Sequence, residues 1–314
     1  MVTTLLDQLR QSTAVDCDTM DVAVAETLGP FQDCTSNQAI AYLELSKPEH
    51  QALIHESVTF AENNQRDFGI SVEKLAAEVA MVMLGIRILP HLTGRMHIQV
   101  DPSYAYDVAA TVVAGERIVQ LFQRLGGVEA ERVCIKIPST WEGLMACGQL
   151  AEKGINTLAT TLFTIEQAAV AAKMKATYIA PYVNELAVHF EPGFVDRFPG
   201  HEVCVQAQSH FRKHGHMTKV LPASLISVDE CMSLAGVDHM TIAPALLQQL
   251  SEAPAREQST IEAVDVSDVD DSMDEKAFRM SMTRRDGGRG EIKQVRAINV
   301  FADFQMKLEQ LMRK

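Results

Sequence analysis

Short apolar or β-branched runs alternate with longer helical stretches along almost the whole chain, and this alternation limits the possible folds more than any other feature. The clearest strand candidates are His97–Asp101, Val133–Ser139, Thr157–Phe163, Tyr178–Tyr182, Lys219–Ser224 and His239–Ala243. Two weaker ones, Ala14–Asp18 and Phe31–Ser36, bring the count to eight. Helical patterns lie between them over Asp107–Leu125, Glu142–Lys153, Ile165–Ala172, Glu202–His214 and Val228–Ala235. Ser139 and Thr140 are good N-caps for the second of these helices, with Glu142 and Gly143 in its first turn. Eight β-α units predict an α/β protein folded as a (β/α)8 TIM barrel, with a doubly wound open sheet as the alternative. Nothing between the units reads as a linker, so residues 1–314 are expected to form one domain. The acidic segment 252–274 is expected to be a surface excursion. After it, Ile292, Val295, Ile298, Phe301, Phe304 and Leu308 recur at helical spacing, which predicts a C-terminal helix over 291–314 packed on the barrel.

Charge and cysteine usage exclude several function classes. With 41 acidic and 28 basic side chains the formal net charge is −13, which repels phosphodiester backbones and anionic lipid. Neither a nucleic acid nor a membrane surface is an expected partner. The most apolar segment, Leu75–Pro90, is interrupted by Glu78, Arg87 and Pro90, so it reads as a buried amphipathic helix and not a membrane span. Met1–Arg10 carries Asp7 and lacks the basic start and apolar run of a secretory leader. Cys17, Cys34, Cys134, Cys147, Cys204 and Cys231 form no C-x-x-C pair, so reduced, mostly buried thiols are expected, with neither a zinc site nor a disulfide scaffold. A soluble, cytoplasmic protein is the expectation.

The segment Val133–Ser139 carries the most chemistry. On a strand, Ile135 and Ile137 share one side, while Cys134 and Lys136 share the other. The isoleucines must meet the helical layer, which turns Lys136 into the barrel. Burial favours the neutral amine of a lysine, the form able to attack a carbonyl. A strand-end lysine snorkelling to solvent is the competing reading. Asp18, Asp33 and Asp101 also lie at or near strand C-termini, where barrel enzymes keep their catalytic groups, and three together suggest a shared site. His210, His214 and His216 lie beside Arg212 and Lys213 with no carboxylate or thiol set nearby. They read as a solvated helix terminus and not as a metal site. The glycines of Asp286–Gly290 read as a flexible turn before the last helix, since no strand precedes them and no phosphate-binding lysine-serine follows.

Several blocks resemble the transaldolase family in order and spacing over about residues 14–250: Cys17–Asp21, Asp33–Asn37, Ile135–Gly143, Glu152–Asn156, Leu234–Gly236 and Thr241–Leu247. The lysine block is the most specific of them. The resemblance implies that Lys136 is the Schiff-base lysine on the fourth strand and that Asp18 handles the proton at the cleaved bond. It further implies that Thr160 holds the catalytic water, that Asn37 and Thr35 contact substrate, and that Ser224 lies near the phosphate end. It also implies a homodimer, in which exposed residues of the last helix are the place to look for contacts. No metal or organic cofactor is expected, because an imine itself supplies the activation. The expected partner is a small-molecule ketone or aldehyde.

Other positions depart from the family's pattern. Gln99 stands where transaldolases have a glutamate, and Tyr182 where they usually have phenylalanine. In the fructose-6-phosphate aldolase subgroup a glutamine and a tyrosine hold the catalytic water, so Gln99 and Tyr182 resemble an aldolase-type water site. Drift in a protein that has lost turnover is the alternative. Glu185 and Ile226 replace two arginines that grip the sugar phosphate, while Leu158 and Ala180 replace an asparagine and a serine that bind the dihydroxyacetone part of the donor. The expected enzyme makes, breaks or transfers an aldol bond on a substrate that depends less on phosphate. Arg284, Arg285 and Arg289 are candidate substitutes for the lost arginines. A catalytically inactive binding or regulatory paralogue is the competing function.

Overall fold

The computed structural model describes residues 3–257, 260–264, 266, 269–270 and 272–313. Eight strands run in chain order: β1 (Ala14–Asp18), β2 (Cys34–Thr35), β3 (Met96–Gln99), β4 (Val133–Pro138), β5 (Asn156–Leu162), β6 (Tyr178–Pro181), β7 (Lys219–Val220) and β8 (His239–Ile242). All pairings are parallel, in the order β7-β6-β5-β4-β3-β2-β1-β8. The Thr241 amide donates to the Pro222 carbonyl at 3.2 Å across the remaining seam, and the sheet is a nearly closed barrel. The fold is the expected (β/α)8 barrel, and the open sheet is excluded.

Every expected strand is present, with β2 and β7 the most shortened. Ahead of β2, the Asp33 amide leaves the ladder to donate to the Asp16 carboxylate at 2.8 Å. Beyond Val220, Pro222 has no N–H to offer, although the Leu221 and Ala223 amides still donate to Ile179 and Pro181. Ser224 then turns into the left-handed region at φ 59°.

Ile135 and Ile137 pack in the core between strands and helices, whereas Cys134, Leu158, Tyr178, Ala180 and Leu221 fill the barrel itself. Lys136 therefore points inward and is 1% exposed, as the alternation on β4 requires. The expected helices form at Val108–Gly126, Trp141–Glu152, Ile165–Lys173, His201–His214 and Val228–Ser233, and Val72–Ile88 is the buried helix expected around Leu75. Thr140 caps Trp141–Glu152, accepting from the Gly143 amide at 2.9 Å. A Cβ at Gly143 would lie 2.0 Å from the Pro138 carbonyl oxygen, so only glycine allows the helix to start this close to β4. Helices outside the expected set also form, Gln51–Phe68, Pro244–Glu252 and Glu275–Arg284 among them.

The C-terminal helix, Arg289–Leu311, crosses the C-terminal mouth of the barrel, where Ala297 and Phe301 join the interior cluster. From Ile298 onward it buries the face its apolar periodicity predicts, with Ile298, Phe301 and Leu308 buried, but its first turns differ. Ile292 and Val295 are 51% and 41% exposed, while Lys293 and Gln294 are buried. There, buried Lys293 and Gln294 meet polar partners on the barrel rim. Lys293 Nζ lies 2.7 Å from an Asp196 carboxylate oxygen, and Gln294 Nε2 donates to the Thr161 carbonyl at 3.4 Å.

The described part of the acidic segment forms neither helix nor strand between Ala255 and Asp270 and touches the body through the Ile261 amide, which donates to the Ala235 carbonyl at 2.8 Å. Residues 258, 259, 265, 267, 268 and 271 of that segment lie outside the described residues. Among the described residues, no helix is long and apolar enough to cross a membrane. All six cysteines are buried and unpaired, and burial pushes the Cys147, Cys204 and Cys231 thiols up to about 12.

Candidate active site

The interior lysine sits in a layer set by strand register. Gln99 on β3 is its partner on one side and Leu158 on β5 its partner on the other, while Thr160 pairs with Pro138 at the next inward level. The Gln99 backbone is held by Gln38, whose Nε2 donates to the carbonyls of Gln99 and Val100 at 3.2 and 3.0 Å. The end of β5 is held by Ser139, whose amide and hydroxyl both donate to the Thr160 carbonyl at 2.8 Å. Fixed backbones do not satisfy these side chains. Gln99 Oε1, Gln99 Nε2 and Thr160 Oγ1 are all buried without a hydrogen-bond partner among the described residues. Each unmet buried polar group costs about 1–3 kcal/mol, so these three atoms on strands flanking Lys136 are free to hydrogen-bond a polar molecule. Leu158 and Ala180 form the apolar part of the same layer and are fully buried.

Asp18 ends β1 across the barrel. Thr35 Oγ1 lies 2.6 Å from its Oδ1 and 2.6 Å from Thr241 Oγ1. With Thr35 donating to the carboxylate, Thr241 must donate to Thr35, giving a directed chain across β8, β2 and β1. Asn37 uses its side-chain oxygen to cap Gln38–Leu45, accepting from the Ile40 amide at 3.0 Å. Asp18, Asn37, Tyr182 and Ser224 all line a cavity of about 280 Å³ at the barrel mouth, with Phe301 of the C-terminal helix over it. Lys136, Gln99 and Thr160 are more deeply buried and do not line its walls.

The structure gives the phosphate-end positions different surroundings. Glu185 is buried, and Arg296 of the C-terminal helix neutralises it at 2.7 Å from its Oε1. Ile226 is 46% exposed and outside the cavity lining. The candidate substitute cations are also elsewhere: Arg285 pairs with Glu166, Arg289 stacks over the Phe198 ring at 3.5 Å, and Arg284 does not line the cavity. His189, which sequence reasoning missed, does line it, with Nε2 2.9 Å from Ser224 Oγ. It lies in a single-turn helix, Ala187–Phe190, too short to show a periodicity, four residues after Glu185.

Two expected groupings are corrected. Asp33 and Asp101 do not join Asp18 in a shared site. Asp101 faces outward, 2.6 Å from Lys74 Nζ, and Asp33 belongs to the barrel floor. There Asp33 contacts His97 at 3.0 Å, Asp16 contacts His239 at 2.9 Å, and the Tyr178 ring lies between the two imidazoles at 5.1 and 5.2 Å. Burial raises Asp16. It also opposes ionisation of Asp33, but His97 and the Arg95 amide outweigh it and hold Asp33 below the usual carboxylate range. Donor atoms of Asp16, Asp33 and His239 lie within 4.8 Å of one another, close enough for a metal ion. Each of the four carboxylate oxygens already accepts a hydrogen bond, however, so the arrangement is complete as a proton-sharing network. The second correction concerns His210, which is buried and packs against His214 and His216 at 4.5 and 5.9 Å between ring centres.

A (β/α)8 barrel that turns a lysine, an aspartate and unpaired amide and hydroxyl groups towards its C-terminal end has the layout of a barrel enzyme. A family model described as Transaldolase/Fructose-6-phosphate aldolase matches residues 15–311. The chain is 34% identical over 258 residues to the transaldolase of Yersinia pseudotuberculosis serotype O:3 (strain YPIII), with 80% of each protein covered. It is 31% identical over 320 residues to the probable transaldolase of Dictyostelium discoideum, covering 98% of each. The transaldolase of Protochlamydia amoebophila (strain UWE25) is 29% identical over 320 residues, covering 98% of this chain and 97% of the relative. The chain belongs to the transaldolase/fructose-6-phosphate aldolase family and is an enzyme of transaldolase or aldolase type.

Proposed function

We propose that Lys136 Nζ attacks the carbonyl of a ketone or aldehyde, forming a carbinolamine that loses water to give an iminium ion. The iminium draws electrons from the adjacent bond, so an aldol C–C bond beside it breaks to an enamine or forms from one. Asp18 takes or returns the proton of the hydroxyl at that bond, with the Thr241–Thr35 chain orienting its carboxylate. Gln99, Thr160 and Tyr182 hold the water that assists dehydration and protonation. Gln99 cannot accept a proton, so Tyr182 relays it. The observation that carries this reading is Lys136, 1% exposed inside the barrel and in register with Gln99, whose amide has no partner among the described residues.

The substrate in this reading depends less on phosphate than the sugar phosphates of the family. No lysine or arginine lines the mouth cavity among the described residues, Glu185 is already paired, and Leu158 and Ala180 make the layer beside Lys136 apolar. Borohydride reduction with a panel of ketones and aldehydes, followed by peptide mass mapping, tests the Schiff base. The expected result is an adduct on Lys136 that is lost in Lys136→Ala. No adduct with any carbonyl, including fructose 6-phosphate and hydroxyacetone, overturns the reading and leaves a binding role. Acceleration of donor consumption by erythrose 4-phosphate separates transfer from simple aldol cleavage.

A further inference from the structure

We infer that the mouth of the barrel selects an acceptor aldehyde with an apolar, ring-sized body and an uncharged hydroxyl at its far end, and that His189, carried by Ser224, is the specificity-determining residue reading that hydroxyl. This inference rests on the Schiff-base reading above and names its acceptor class.

The cavity of about 280 Å³ has room for such a body, and Ile40, Leu43, Phe190 and Phe301 are among its apolar walls. Phe190 continues into an aromatic rim, with its ring 5.5 Å from Phe304, which in turn lies 5.8 Å from Tyr42. An aromatic rim of this kind attracts ring faces and edges and gives a phosphate nothing. The cavity lining carries one carboxylate, Asp18, and no lysine or arginine among the described residues. A phosphate dianion there would therefore meet repulsion without a counter-charge.

His189 and Ser224 supply the polar recognition. Ser224 is one of four non-glycine residues with positive φ among the described residues, at 59°, and it is pinned there because its carbonyl accepts from the Asn184 amide and side chain at 3.2 and 3.0 Å. A strained backbone kept at a cavity wall is a sign of function. The strain presents Oγ to His189 Nε2 at 2.9 Å. Desolvation lowers the His189 pKa against the opposing pull of Asp18 and Glu230. The imidazole is therefore neutral near pH 7, and with Nε2 held by Ser224 it keeps Nδ1, donor or acceptor according to the tautomer, for a hydroxyl, with no positive charge to offer a phosphate. In the reaction the enamine carbon bonds the acceptor's carbonyl carbon and the C=O electron pair moves to oxygen. The proton lost from the donor's α-carbon returns to that oxygen, and water then hydrolyses the iminium to free Lys136.

The test uses the full chain with hydroxyacetone as donor and three acceptors: phenylacetaldehyde, (4-hydroxyphenyl)acetaldehyde and glyceraldehyde 3-phosphate. Phenylacetaldehyde should exceed glyceraldehyde 3-phosphate in kcat/KM by about tenfold or more, and the ring hydroxyl should add about three- to tenfold, the effect of one net hydrogen bond. His189→Leu should abolish the hydroxyl increment while keeping the order of the other two acceptors, and His189→Gln should restore part of it. A glyceraldehyde 3-phosphate rate equal to or above the aryl aldehydes, or an unchanged hydroxyl increment in His189→Leu, overturns the inference. Borohydride labelling of Lys136 with hydroxyacetone reports an intact site in each protein. If His189→Leu alone fails to label, the His189→Gln increment decides. No label on the wild-type protein overturns the Schiff-base reading and this inference together, whereas a label with phosphate preferred overturns this inference alone.

Discussion

Arg296 Nη1 lies 2.7 Å from Glu185 Oε1, joining the helix over the barrel mouth to the loop after β6. From sequence alone, Glu185 reads as a negative charge at the phosphate end of the site. In the fold it is buried and its charge is cancelled by a residue 111 positions away. Arg296 itself is 61% exposed at the side chain, so it is spent on the pair and on solvent. Glu185 therefore adds no uncompensated charge at the mouth, which leaves Asp18 as the carboxylate in the cavity wall.

Restoring a cation at this end should restore affinity for phosphate. Two unit charges about 5 Å apart at an effective dielectric of about 20 interact by roughly 3 kcal/mol. Position 226 is substantially exposed, so solvent screening reduces this to about 1.4 kcal/mol. Ile226→Arg should thus lower KM for a phosphorylated substrate by about tenfold, with little change in KM for its unphosphorylated counterpart. Steady-state kinetics on the two substrates at low and high salt checks this, and the gain should shrink as salt rises.

The hydroxyl chain behind Asp18 predicts a second outcome. Thr35→Val keeps the shape of the side chain but removes the donor to the carboxylate and leaves Thr241 without its acceptor. Hydrogen bonds to charged groups contribute about 1.5–3 kcal/mol, so kcat should fall about ten- to a hundredfold. Borohydride labelling of Lys136 should persist, because the amine lies on β4 and its environment is untouched. Loss of both together would place Thr35 in the packing of the barrel and not in orientation of Asp18.

What the sequence reveals of this site follows from strand alternation. Lys136 is legible because Ile135 and Ile137 leave it one direction to point. The floor network is equally open to reading, since Asp16 and Asp18, Asp33 and Thr35, His97 and Gln99, and His239 and Thr241 are pairs of polar residues two apart on barrel strands or, for Asp33, immediately before one. The lid was harder. Its buried face holds Lys293 and Gln294, and their burial depends on Asp196 and on the Thr161 carbonyl, 97 and 133 positions away. Apolar periodicity carries no trace of such partners, so it included the exposed Ile292 and Val295 beside Ile298, Phe301 and Leu308, which are buried. His189 sits in the four-residue helix Ala187–Phe190, too short for a repeat to be read.

Gln99 separates chemistry from packing. Gln99→Met conserves volume in a fully buried layer and removes an amide that has no partner among the described residues. Denaturant unfolding should therefore shift by less than about 1.5 kcal/mol, as for other volume-conserving exchanges. If the amide holds the catalytic water, kcat should fall by about a hundredfold or more, within the range for a lost general acid–base contribution. A large stability loss with unchanged kcat would assign Gln99 to the fold alone.

The clamp between Lys293 and Asp196 makes the lid sensitive to acid. Burial works to raise the Asp196 pKa, but the hydrogen bond from Lys293 and those from the Phe198 and Glu185 amides outweigh it, and the carboxyl is held below its usual value. A depressed folded pKa stabilises the protein above the unfolded pKa of about 3.9, and that stabilisation is lost as pH falls through the folded value. Near pH 7, Lys293→Met should cost about 3 kcal/mol, because it leaves Asp196 buried beside an apolar chain. Asp196→Asn with Lys293→Met should recover much of that loss. Below about pH 4 the gap between the wild-type protein and Lys293→Met should narrow, and it closes as pH falls through the depressed folded pKa of Asp196. Thermal unfolding of the three proteins between pH 7 and pH 3 measures this convergence, and a difference that stays constant across the range would show that the clamp is not ionic.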